Sequence, residues 1–157
     1  MHLSTIGARQ VRRSGDFHLD CSAESAFPLF SPEGEREWIK EWNPQPVFPD
    51  TIEFRRDTVF RQGDGVEEAV WTIVDADWQT YRAEYVRVAP ASHTAHVVVQ
   101  VDPVDSQHSH VVVSYTITAW GEHGGSVLEA FSEDTYASRM RNWQRQIGES
   151  LEKRTVA

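Results

Sequence analysis

The side chains best suited to acid–base chemistry fall in stretches that read as strands: Arg56, Arg61, Glu67, Glu68, Asp75, Glu84 and Arg87. Any of them turned into an apolar cavity would lose its hydration, shift in pKa and become available for proton transfer. Charged residues on alternating strand positions more commonly form solvated ion pairs across the outer face of a sheet, and that is the preferred reading of this set. A metal site is not expected. His108 and His110, two apart, would share a strand face, with Asp102 or Asp105 as a further ligand. His108, however, falls in a polar turn beside Asp105, Ser106 and Gln107, where an exposed histidine is ordinary. His93 and His96, three apart, would lie on opposite faces of a strand. Cys21 sits at a strand–helix junction with no activating partner in the sequence and reads as an inert thiol. Gly121, Gly124 and Gly125 lack the spacing and following lysine of a phosphate-binding loop and read as a turn. No cofactor is implied.

Aromatic residues carry more information. Six Trp, seven Phe and four Tyr are a heavy load for 157 residues; such side chains build cores and also the walls of apolar pockets. Tyr85 and Tyr115 each offer a ring and one hydroxyl to orient a ligand. Trp38 and Trp42 flank a short helix and its exit, with core packing as the first reading of Trp38 and a lid role as the other. Phe60, Trp71, Tyr136, Met140 and Trp143 combine core with cavity wall. The candidate ligand-binding set is therefore Trp38, Trp42, Phe60, Trp71, Tyr85, Tyr115, Tyr136, Met140 and Trp143, with Tyr115 or Arg61 as the orienting polar group.

Positioning these residues falls to a distinctive order of elements. A first strand over about 9–20 is followed by two short helical stretches. The first is capped by Ser22 and interrupted at Pro28; the second is capped by Ser31 and predicted to run to about Lys40, before Asn43-Pro44. Prolines 44, 46 and 49 suit an extended segment but not a central strand. Strands are predicted near 58–61, 66–76, 81–88, 95–101 and 111–120, separated by turn signals such as Gly63-Asp64-Gly65 and Asp77 to Thr80. In the last of them Val111, Val113, Tyr115, Ile117 and Ala119 share one face, and the opposite face is mostly hydroxylated, the pattern of one covered and one wet side. For 66–76 the alternation does not decide between Trp71 with Ile73 and Val70 with Thr72 and Val74. Helical periodicity starts at Ser126: Tyr136, Met140, Trp143, Ile147 and Leu151 form one stripe, while Leu128 and Phe131 are out of phase, so a break is predicted near 132–134.

A large antiparallel sheet with one long helix left over buries both apolar faces by curling around the helix, an arrangement that tends to leave a cavity between them. The length fits one domain over 1–157. Fifteen basic against 24 acidic residues give a net charge of -9, which opposes binding to nucleic acid or to anionic membranes. No stretch approaches the roughly 20 apolar residues of a bilayer span. The N-terminal stretch does not read as a secretory signal, and a single cysteine fits a reducing cytoplasm. A homodimer is compatible with this composition, and no residue decides it.

The stretch from Phe30-Ser31-Pro32-Glu33-Gly34-Glu35-Arg36-Glu37-Trp38 through Trp42-Asn43-Pro44 is similar to bacterial members of the START-like (SRPBCC) superfamily, which includes polyketide cyclases and lipid-transfer domains. Thr58 to Arg61, Trp71 to Asp75, Tyr85 to Val88 and Val113 to Tyr115 extend the resemblance over nearly the whole chain. It implies an α+β helix-grip fold: a seven-stranded curved antiparallel sheet wrapped around a C-terminal helix, with two small helices closing one end. It supplies no catalytic motif. The expected function is binding of a small, mainly hydrophobic molecule between sheet and C-terminal helix. The alternatives are a cyclase, dehydratase or aromatase using inward acids and bases, and a protein-interaction module with a filled interior.

Overall fold

Alternation of small β-branched and aromatic residues produces seven strands that pair into one antiparallel sheet. In the computed structural model, which describes residues 7–156, these are β1 (Arg9–Leu19), β2 (Gln45–Phe48), β3 (Val59–Gln62), β4 (Ala69–Asp77), β5 (Arg82–Ala89), β6 (His93–Asp105) and β7 (His108–Ala119). Their order is β1-β7-β6-β5-β4-β3-β2. Part of the N-terminal stretch read for a secretory signal, residues 1–6, lies outside the described residues. β2, which holds Pro46 and is flanked by Pro44 and Pro49, takes the edge, where proline is tolerated. Four α-helices, α1 (Ala23–Ala26), α2 (Pro32–Glu35), α3 (Gly121–Ala130) and α4 (Glu133–Val156), and two short 3-10 turns, Phe27–Phe30 and Gly65–Glu67, complete the element order of the described residues. This is the helix-grip arrangement.

The inner face of the sheet is the one the β7 pattern indicated: Val111, Val113, Tyr115, Ile117 and Ala119 are all buried. The open question in β4 resolves toward Ala69, Trp71 and Ile73 inside, with Val70 38 % exposed. On β6 the inner row is His93, Ala95, Val97, Val99 and Val101. α4 packs through Tyr136, Met140 and Ile147, all buried, and its contacts run chiefly along β1. Gly15 permits this approach, because a Cβ there would lie 2.7 Å from Met140 Cγ.

Three local expectations need correction. The second helical stretch forms only α2, and residues 36–41 continue as turns instead of helix to Lys40. Within α2, Gly34 lies so close to the preceding segment that a Cβ would sit 1.9 Å from the Pro28 carbonyl oxygen. The residues 121–125, read as a turn, are the first half of α3. Glycines cost about 1 kcal/mol each in a helix interior, but Gly124 lets α3 lie against Ala119 and the Ser92 carbonyl, 3.3 Å from where a Cβ would be. Finally, His108 opens β7 instead of sitting in the turn.

Candidate functional site

Strand register builds the site. Trp71 on β4 pairs with Arg87 on β5, and Arg87 pairs with Ala95 on β6. One row along the same inner face, Ile73 pairs with Tyr85, Tyr85 with Val97, and Val97 with Tyr115 on β7. Small Ala95 leaves lateral room beside the Arg87 side chain. At the turn end of this face, Ala89 pairs with His93, and α3 crosses above. The result is a cleft of about 500 Å³ between β4–β6 and α3. Trp42, Trp71, Phe131 and Val127 form its apolar wall, Arg87 and His93 its polar floor, and the exposed Val66 and Glu67 its rim.

The electrostatics of the floor follow from donor and acceptor counts. Arg87 Nε donates to His93 Nε2 at 3.0 Å, and His93 Nδ1 lies 2.7 Å from Ser92 Oγ. Its guanidinium carbon lies 5.1 Å from the Trp71 ring centre and 6.0 Å from that of Tyr115, within cation–π range. Burial, and secondarily the charge of Arg87, lower the His93 pKa to about 4. Burial also lowers Arg87 itself, with Arg139 adding repulsion.

A second titratable group faces the interior from α2. Trp38 N bonds to the Glu35 carbonyl, so the chain beyond α2 keeps a three-residue repeat, which places Glu35 in line with buried Pro32 and Trp38. Burial pushes the Glu35 carboxyl well above the usual carboxylate range; Tyr85 and Tyr115 are raised chiefly by their own burial, with the charge of Glu35 a lesser cause. Among the described residues the Glu35 carboxylate has no hydrogen bond or ion pair.

The aromatic candidates divide by what their polar atoms do. Trp42 and Trp71 line the cleft, and Phe60 stacks on Trp71 at 5.7 Å with the rings 8° apart. Tyr115 borders it beside Arg87 and Phe131. The Tyr115 hydroxyl makes no hydrogen bond among the described residues. Tyr85 spends its hydroxyl on the Phe30 carbonyl, and Tyr136 on that of Val113 at 2.6 Å. Trp38 is 5 % exposed, donates to the Leu29 carbonyl at 2.8 Å, and packs edge-on against Trp143. Tyr136 and Met140 face a different groove, of about 460 Å³ between β1 and α4, whose walls mix these and Phe17 with charged Arg12, Arg13, Asp16 and Arg141. The helical wall of the cleft thus comes from α3 and Phe131, not from the α4 stripe.

Of the charged strand residues, Arg56 pairs with Asp75, Arg61 with Glu68, and Glu84 with Arg82 and His96, all on the outer side. Arg61, expected as an orienting group, is therefore engaged outside the cleft, and Arg87 occupies the position it was assigned. Parity was the available signal, since Tyr85 and Arg87 share a strand face. His93 was weighed only as a metal ligand. Among the described residues no group of three or more metal-binding side chains comes together; His108 faces Asp105, and His110 faces Asp16 at 2.7 Å. Burial raises the Cys21 thiol, so it is not activated. No described helix is long and apolar enough to cross a membrane.

Solved structures share this architecture. Norcoclaurine synthase from Thalictrum flavum, in complex with dopamine and hydroxybenzaldehyde, superimposes with a TM-score of 0.64 at 8 % identity, over 93 % of this chain and 88 % of that one. An uncharacterised protein from Rhizobium leguminosarum gives 0.66 at 14 %, over 94 % and 97 %. The di-domain ARO/CYC protein BexL of the BE-7585A biosynthetic pathway gives 0.62 at 13 %, over 87 % of this chain and 46 % of that one. Identities this low establish the fold alone. No family model matches the chain, and no curated protein matches it.

Proposed function

We propose that this chain, which carries the fold of the START-like superfamily, reversibly binds a small, mainly apolar molecule in the cleft between β4–β6 and α3. The supporting observation is the cleft itself: about 500 Å³, walled by Trp42, Trp71 and Phe131, with a polar floor. That volume falls within the usual range for small-molecule sites, and apolar walls with a few fixed polar groups are their usual composition. Burial of the ligand's apolar surface supplies affinity, and the floor supplies orientation. A cytoplasmic setting fits a chain whose one cysteine has no internal partner. Native mass spectrometry after incubation with fatty acids, sterols, aromatic polyketides and small phenolic amines and aldehydes is expected to find at least one retained species. Retention of none contradicts the reading.

A second reading, an enzyme acting on such a molecule, draws support from Glu35. Burial raises its carboxyl well above the usual carboxylate range, the direction that suits a proton donor beside a carbonyl. Its test is α-proton exchange of an aryl methyl ketone in D2O. Acceleration by the protein, lost in Glu35→Gln, is expected; no acceleration rules this reading out.

A further inference from the structure

We propose that the ligand is an organic anion: a carboxylate on a flat apolar body, paired with the two outer guanidinium nitrogens of Arg87. The inference rests on the cleft being a ligand site and names the chemical class it takes. Arg87 is the one cationic side chain on the cleft floor, and among the described residues it has no carboxylate partner. Its single hydrogen bond uses Nε, which leaves Nη1 and Nη2 without acceptors although neither is sealed from solvent. Those two nitrogens are the half of the fork that matches a carboxylate in a bidentate pair.

Nothing in the floor can supply the missing negative charge. His93 accepts from Arg87 and so presents a neutral ring. Arg139, which lies over the Phe131 ring at 4.3 Å, adds positive potential from the α4 side. The acidic residue of the lining, Glu67, is exposed at the rim and makes no ion pair among the described residues. The carboxylates of Asp75, Glu68 and Glu84 are each engaged by other cations on the outer face. A buried guanidinium without a counter-ion is costly, so a ligand that brings one gains more than its own contacts. Trp71 and Tyr115 flank the guanidinium and shape the space next to it for a flat ring. In a chain of net charge -9, this is a local positive focus inside a negative surface, a strong filter for where an anion settles.

The probes are 2-naphthoate and 2-naphthamide, which share a ring and differ in charge, titrated calorimetrically into the whole protein and into Arg87→Met. Naphthoate is expected to bind the wild type at least about tenfold more tightly than naphthamide, as a charge-assisted pair requires. In Arg87→Met the ratio of the two affinities is expected to fall to about one. Equal or tighter binding of naphthamide to the wild type overturns the proposal, and this comparison needs no variant to fold. Binding of neither probe, when another molecule of the panel above is retained, overturns it and leaves the cleft reading standing. Retention of nothing removes both.

Discussion

Arg87 Nε lies 3.0 Å from His93 Nε2, and because a guanidinium only donates, the imidazole must accept. The ring proton therefore sits on Nδ1, where it is donated to Ser92 Oγ at 2.7 Å. One contact between neighbouring strands thus sets a tautomer, keeps the ring uncharged, and aims the rest of the guanidinium at open space in the cleft.

Protonating His93 would place a second cation against Arg87. Folding lowers its pKa from 6.5 to about 4, so between those values the unfolded chain binds more protons than the folded one. Stability then rises with pH across that window, and it is lost as pH falls from 6.5 toward 4, by up to roughly 3 kcal/mol. Urea-unfolding midpoints measured over that range are expected to show this loss in the wild type. His93→Gln, which can still accept from Arg87 and does not titrate, is expected to flatten it.

Glu35 acts in the opposite direction. Its folded pKa is raised by burial above the ordinary 4.5, so its contribution is intact below that value and is lost as pH rises through the folded pKa. Glu35→Gln is expected to melt at a higher temperature than the wild type at pH 7 to 8, with the two converging near pH 4. A lower melting temperature for the variant at pH 8 would contradict burial of this carboxyl.

The close approach at Gly34 predicts a backbone effect. A methyl group 1.9 Å from the Pro28 carbonyl oxygen cannot be accommodated without moving the main chain. Gly34→Ala is expected to cost about 3 kcal/mol or more in chemical denaturation. Because α2 carries Glu35, it should also perturb that residue's titration.

Trp38 and Trp71 should separate core from cleft. Trp38→Phe leaves the buried Leu29 carbonyl without its donor and is expected to cost about 1–3 kcal/mol in stability, with ligand affinity unchanged within about twofold. Trp71→Leu, in the cleft wall, is expected to weaken ligand binding about tenfold or more, as loss of an aromatic anchor does.

The sequence made the fold legible because its signals are periodic. The β7 alternation, the α4 stripe and the prolines in and around β2 each follow from one element's own geometry. The cleft is different, since it depends on register between strands. Trp71 was visible as an aromatic; its position beside Arg87 needed the β4–β5 pairing. The inward parity of Arg87 could have been read from Tyr85, but charge argued for the outer face and prevailed; His93 shares its parity with Val97 but was weighed only as a metal ligand. Glu35 was hidden by its setting, a short acidic helix start in which carboxylates are normally solvated; only a three-residue repeat between Pro32 and Trp38 marked it. The first half of α3, residues 121–125, was read as a turn because glycine's helix penalty was weighed without the close packing that Gly124 permits.

Six tryptophans give the central claim its most direct test. Indole N–H resonances, assigned by substitution, would be followed in 15N-labelled protein during titration with 2-naphthoate. The account predicts that the Trp42 and Trp71 signals, from the cleft wall, move in a saturable manner, while Trp78, packed against Phe27 and Phe54 away from the cleft, stays fixed. Saturable movement at Trp78 or Trp143 with Trp42 and Trp71 unmoved would contradict it.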